Sequence, residues 1–253
     1  GSMMLRRLIA LLLVVFWCNN LVAQDGPLIS RLQFITVKEG MADEFRDAVA
    51  KKTKKYNGKE GSLVFNTWRI MNGPRQGKFV RGTGFRYWAD FDTPIPQNEL
   101  DYWTKNVVPY IEKYENTQIW SYNDDVSYNG SKETEYANVG MLQFYNINPG
   151  MDGRLMEMAK KLKEVHESKK TTFRYGWYHL ESGGDRSTWL FASSVYKWAD
   201  LGGPAIGKLF EEVHGEGSWS EFMKEFGEVV QKSPKARRAE FWRFLKDMSS
   251  PPR

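Results

Sequence analysis

The side chains with most chemistry to offer in this 253-residue chain are three histidines, ten tryptophans and one cysteine. His166 lies in Glu164-Val165-His166-Glu167, without the second histidine that a zinc-protease helix needs. Three histidines with no thiolate beside them argue against a dedicated zinc site and leave a His-carboxylate site open, so no metal is assigned. His179 shares one face of an alternating segment with Phe173, Tyr175 and Trp177. An imidazole among aromatic rings suits a flat or apolar ligand with one polar handle, and by residue type His179 is the best general base. A histidine satisfied within the core fits the same pattern. His214 precedes Gly215, where the dipole of a helix C-terminus favours it on the surface. There is no Gly-x-Ser-x-Gly elbow, and Gly82-Thr83-Gly84 falls inside a strand, where small residues allow close helix packing, so it is not a phosphate loop.

The elements that position these residues recur at a spacing of 110. Leu32-Gln33-Phe34 returns as Leu142-Gln143-Phe144, Gly40-Met41 as Gly150-Met151, and Trp88-Ala89-Asp90 as Trp198-Ala199-Asp200. In the second unit, Tyr136 to Ile147 reads as a strand. A helix from Asp152 to Lys169 follows, with Leu155, Met158, Ala159, Leu162 and Val165 as its apolar stripe. Thr171 to Leu180 and Thr188 to Trp198 form a hairpin around Ser182-Gly183-Gly184-Asp185, a second helical region is broken at His214 to Ser218, and Ala239 to Leu245 ends as a strand. The first unit gives the same order: strand Ile29 to Val37, helix Met41 to Lys55, hairpin Ser62 to Met71 with Phe79 to Trp88, helix Glu99 to Tyr114, strand Thr117 to Tyr122.

The expected organisation is therefore a signal peptide and cloning remnant over residues 1–23, a first β-α-β-β-α-β unit over 24–124, and a linker over 125–135. A second unit spans 136–248, and a tail 249–253. Arg6-Arg7, the apolar run Leu8 to Trp17 and Leu21-Val22-Ala23 are the marks of a cleaved secretory signal, which predicts export to the periplasm or medium and no stable membrane anchor afterwards. Cys18, the only cysteine, would leave with it, so stability must come from packing. The net charge of +5 is mild and scattered, with Lys51-Lys52 and Lys54-Lys55 placed on solvated helix faces; nucleic acid is not expected as a partner.

Two such units put both helices on one face of each antiparallel sheet, and strands such as Arg174 to Ser182 are apolar on both faces. On this element order, repeat and two-faced strands, the chain resembles the dimeric α+β barrel superfamily of ferredoxin-like folds in tandem form. The expected class is α+β, with two repeats whose sheets pack face to face as an intramolecular barrel, a monomeric pseudo-dimer. Strand alternation is read as placing Leu and Phe of Leu-Gln-Phe beneath the helices and Gln33 and Gln143 inside the barrel.

The resemblance implies a small apolar or aromatic ligand and, as one activity, cofactor-independent oxygenation or lyase chemistry. The second unit is the more aromatic, with Trp177 for Thr67, His179 for Arg69, Phe191 for Arg81 and Tyr196 for Arg86. The ligand site is accordingly placed there, lined by Gln143, Tyr145, Trp177, Tyr196 and Trp242, with His179 catalytic and no cofactor. Haem is the alternative that the resemblance implies. His214 follows the Tyr196 strand by a spacing similar to that of haem-degrading relatives, with Asn146 as the cleft asparagine, although Tyr196 stands where those enzymes carry tryptophan. A non-catalytic interaction module with a solid barrel is the third reading.

Overall fold

The computed structural model describes residues 26–133, 136–202 and 205–252, so the signal peptide expected over residues 1–23 lies outside the described residues. Eight strands form one closed antiparallel barrel: β1 (Ile29–Val37), β2 (Asn66–Ile70), β3 (Phe79–Arg86), β4 (Ile111–Asn129), β5 (Val139–Asn146), β6 (Arg174–Ser182), β7 (Thr188–Val195) and β8 (Arg237–Phe244). Their order around the barrel is β1-β3-β2-β8-β5-β7-β6-β4. The helices are α1 (Ala42–Tyr56), α2 (Gln97–Asn106), α3 (Asp152–Lys169), α4 (Ile206–His214) and α5 (Ser218–Val229). Among the described residues no helix is long and apolar enough to cross a membrane.

The two halves of the chain meet along hydrogen-bonded edges, which join the two expected sheets into the one closed barrel. One seam pairs Trp68 with Phe244 and Ile70 with Trp242; the other pairs Trp120 with Leu180 and Tyr122 with Tyr178. Closure satisfies edge N–H and C=O groups that open sheets would leave unpaired.

Apolar side chains from every strand fill the interior, among them Phe34, Ile70, Val80, Trp120, Leu142, Phe144, Leu180, Leu190 and Trp242. Phe34 meets Trp242 edge-on at 5.8 Å and Trp120 lies 6.0 Å from Phe144. Arg75, from the β2–β3 turn, lies 4.3 Å from the Phe34 ring centroid and donates to both oxygens of the fully buried Glu240. Trp242 donates its indole N–H to the same carboxylate at 2.8 Å.

This packing corrects the expected facing of Leu-Gln-Phe. Leu32, Phe34, Leu142 and Phe144 point into the barrel, so alternation turns Gln33 and Gln143 outward, toward the helices. Two further cores lie on that outer face. Beneath α1, Ile35 and Phe79 pack on Phe45 and Val49, completed by Leu245 and Met248 from the end of the chain. Beneath α3 and α5, Trp177 and Phe191 pack with Leu155, Met158 and Phe226.

Other boundaries also shift. The helix expected to reach Tyr114 stops at Asn106, because a 3-10 turn carrying Pro109 follows and β4 begins at Ile111. Residues 125–129 of the expected linker extend β4 past a bulge, since β6 offers partners such as Tyr175 for Tyr128. Ser249 and Ser250 of the expected tail are buried, their hydroxyls accepting from the Thr67 and Phe65 amides. Gly82 answers to its sheet neighbour, since a Cβ there would collide with the Arg31 carbonyl on β1. The glycine break between α4 and α5 is present, with Gly215 at φ 97° and Gly217 at φ 81°, values that L side chains rarely adopt.

Candidate functional site

The buried stripe of α1 runs Phe45, Ala48, Val49, Lys52, Thr53, a helical spacing that carries a lysine into the core. Lys52 is 3% exposed. Its Nζ donates to Glu99 Oε1 at 2.5 Å and to Asn57 Oδ1 at 2.7 Å, and Asn57 donates to the same Glu99 oxygen at 3.0 Å. Glu99 comes from the first turn of α2 and is itself buried. Arg81, on the outward face of β3, donates from Nη1 to Thr67 Oγ1 and to the Met248 carbonyl, both at 2.7 Å, and from Nη2 to Thr53 Oγ1 at 3.0 Å. Both cations flank the Phe65 ring, Lys52 at 4.6 Å and Arg81 at 4.9 Å from its centroid.

These groups lie at one side of a cavity of about 170 Å³ between the outer face of β1 and β3 and the two N-terminal helices. Ile35, Phe65, Ile95 and Trp103 supply apolar wall, while Gln33 and Thr83 line it from the sheet. Arg31, Leu100 and Tyr114 are the lining residues most open to solvent. Trp103 donates its indole N–H to the Tyr114 hydroxyl at 2.7 Å, which ties α2 to β4. The Gln33 amide is spent within the protein, donating to the Phe34 and Glu115 carbonyls and accepting from Thr117.

Two buried cations face one buried carboxylate. Burial, reinforced by the Arg81 charge and opposed by Glu99, lowers the Lys52 amine to about 8. Burial also pushes the Arg81 guanidinium down, again against Glu99. An amine in that range can take up and return a proton near neutrality, and the guanidinium beside it supplies fixed positive charge. Burial holds the Tyr114 phenol above its ordinary value, with the Trp103 hydrogen bond opposing.

At the positions 110 residues further on, Lys52, Thr67, Arg81 and Glu99 are matched by Leu162, Trp177, Phe191 and Leu209. Leu162, Trp177 and Phe191 pack into the core beneath α3. The polar cluster thus belongs to one half of the barrel, and its counterpart is filled with hydrocarbon and rings. Lys52, read from sequence as part of a solvated lysine run, is the residue most clearly missed. The available signal was its place opposite Leu162 on an apolar stripe.

Of the residues nominated from sequence, Gln143, Tyr145 and Trp177 lie together beneath α3 and α5, and the others are dispersed. Trp177 is buried beneath α3, and Tyr145 packs edge-on against Phe226 at 5.1 Å while donating to Gln143 Oε1 at 2.7 Å. Burial, with Arg237 opposing, pushes the Tyr145 phenol up to about 12. His179 has Nδ1 3.1 Å from Glu181 Oε1 and Nε2 2.8 Å from the Arg186 carbonyl, in a separate recess with Asp152 and Trp189. Tyr196 lines an open groove beside Trp198 and Arg243, and Trp242 lies inside the barrel. His214 has Nε2 3.2 Å from the Lys161 carbonyl and its ring on Phe210, so it is turned to α3. Asn146 is held by Asp185 and Thr188 at the β6–β7 hairpin. His166 is sandwiched between Tyr128 and Phe173 with Nδ1 2.8 Å from Thr171 Oγ1, and burial pushes it down to about 4.

No family model matches the sequence, and no curated protein matches it. Solved structures do match. A candidate monooxygenase from Lactobacillus acidophilus superposes with a TM-score of 0.58 at 13% identity, covering 90% of this chain and 97% of that one. One from Fusobacterium nucleatum gives 0.57 at 11%, covering 88% and 94%. The chlorite dismutase of Candidatus Nitrospira defluvii, in complex with imidazole, gives 0.54 at 9%, covering 88% and 94%. At these identities the likeness is one of fold: this chain shares its barrel with monooxygenase-like and chlorite dismutase structures.

Proposed function

We propose that the chain is a small-molecule-binding α+β barrel protein whose ligand occupies the cleft beneath α1 and α2, where Lys52 exchanges a proton with it. The observation that carries this reading is a walled cavity with Lys52, Arg81 and Glu99 buried at its side, in a chain that fills the matching positions of its other half with apolar side chains. The activity this supports is one that begins by deprotonating the bound ligand, as a cofactor-independent oxygenase or lyase does, with Lys52 in place of His179 as base. In this reading the chain is two fused ferredoxin-like repeats, a tandem dimeric α+β barrel acting as a monomeric pseudo-dimer. The matching strand orders β4-β1-β3-β2 and β8-β5-β7-β6 and the matches at a spacing of 110 support it. Export through the N-terminal signal belongs to the same proposal and rests on the sequence alone.

Haem, the alternative ligand, finds no fit in the arrangement of these residues. All three histidines belong to the second half, whose space between sheet and helices is occupied by Trp177, Phe191 and Met158, and His214 faces α3.

Ligand-observed NMR with a library of single-ring fragments tests the proposal. Binding is expected in the wild type and lost in Thr83→Leu, which extends a side chain into the cavity. Hits that survive Thr83→Leu and vanish in Trp177→Ala or His179→Ala would move the site to the other half.

A further inference from the structure

We propose that the occupant of this cleft is a small organic monoanion, a single planar ring or apolar body of similar size bearing one carboxylate, phenolate or enolate oxygen. The inference rests on the cleft being the ligand site and adds the chemical class of the ligand. It follows from a count of charges and donors. Lys52 and Arg81 are 3% and 5% exposed and Glu99 is 4% exposed, so the buried cluster carries one positive charge in excess whenever Lys52 is protonated. An uncompensated charge in a low-dielectric site is costly, and an anion arriving from solvent removes the imbalance.

The donors are present to receive it. Of three N–H groups on Lys52, two are used by Glu99 and Asn57; of five on Arg81, three are used by Thr67, Met248 and Thr53. One ammonium and two guanidinium N–H groups remain without a partner among the described residues. Cations are repelled by this arrangement, and a neutral ring leaves the excess charge where it was. A dianion exceeds the charge available, and walls of Ile35, Phe65, Ile95 and Trp103 do not suit a fully hydrated inorganic ion. The volume of about 170 Å³ is close to that of an apolar cavity that takes up benzene, so one ring fits.

The groups facing Lys52 are Glu99 from α2 and Arg81 from β3, with Arg31 and Tyr114 also lining the cavity. A bound anion raises the proton affinity of the amine, so binding near pH 8 draws in protons. Isothermal titration of the full chain with benzoate, benzamide and benzylammonium, in two buffers of different ionisation enthalpy, is the experiment. Benzoate is expected to bind at least about tenfold more tightly than benzamide, as charge-assisted hydrogen bonds would give. It should take up a fraction of a proton at about pH 8 that disappears in Lys52→Met. Benzylammonium should not bind. Glu99→Gln, which removes the negative charge that opposes an arriving anion, should tighten benzoate and leave benzamide unchanged; should that variant fold poorly, the same preference is read from which ligand raises its melting temperature. Equal binding of benzoate and benzamide, both lost in Thr83→Leu, would overturn the anion assignment and leave the cleft as the site. Failure of all three probes at millimolar concentration would overturn both.

Discussion

Replacing Glu99 by glutamine removes the one carboxylate from beside two buried cations, and it should destabilise the protein more than removing Lys52 does. Breaking a buried ion pair by deleting one partner costs about 3–5 kcal/mol, and at 4% exposure Glu99 has little solvent to soften that figure. Arg81 keeps its proton and stays charged. Lys52→Leu gives up hydrogen bonds to Glu99 and Asn57, but it also lifts the penalty on the buried ammonium. That amine sits at about 8 against an ordinary 10.5, a displacement worth roughly 3 kcal/mol. That displacement is already net of the Glu99 contacts, so Lys52→Leu should lose no more than about 2 kcal/mol at neutral pH. The pH dependence has a definite sign. Because the folded-state value is depressed, the unfolded chain binds more protons between about 8 and 10.5, and wild-type stability rises with pH across that window. Urea unfolding of wild type, Glu99→Gln and Lys52→Leu between about pH 7 and 9.5 measures all of this. A Lys52→Leu variant less stable than Glu99→Gln at pH 7, or one that keeps the alkaline rise of the wild type, would refute the account of the buried charges.

His166, pushed by burial to about 4 from an ordinary 6.5, makes the unfolded state the stronger proton binder between those values, so stability should fall by up to about 3 kcal/mol as pH drops through that range. His166→Phe should show a shallower acid limb in thermal melts. Arg75→Met strips two charge-assisted hydrogen bonds from the fully buried Glu240 and should cost about 3 kcal/mol by calorimetry, with fragment binding in the cleft unchanged because Glu240 lies inside the barrel. Gly82→Ala forces a Cβ into the Arg31 carbonyl and should lower stability in urea titrations by at least about 2 kcal/mol; Gly84→Ala, whose nearest neighbour would be Ser30 Oγ at 3.2 Å, should cost clearly less.

Periodicity made the order of strands and helices legible, down to the interruption at Gly215 and Gly217. It also foretold a sheet apolar on both faces, with Trp177 on one side of β6 and Leu180 on the other. That same double-sidedness hid which face turns inward. Alternation along Leu32-Gln33-Phe34-Ile35 gives two consistent answers when both sides are buried, and the wrong one put the glutamines inside. The strand beyond Asp124 was illegible because its pairing depends on β6, which lies some fifty residues on, rather than on its own polar sequence. The cleft was missed through a prior: four lysines between positions 51 and 55 read as a wet surface. Only the hydrophobic stripe, or the leucine at 162, marks one of them as buried. The contrast between halves is visible in the sequence as Arg81 against Phe191, and the sequence reading placed the ligand with the aromatic member.

The seam between β2 and β8 has a consequence for synthesis on the ribosome. Ile70 is translated long before Trp242, its partner across that seam. Until the final strand emerges, the early portion must hold Trp68, Ile70 and Phe34 toward water beside an unsatisfied backbone edge. Chains that stop short of β8 would therefore be expected to aggregate rather than close a slightly shortened barrel.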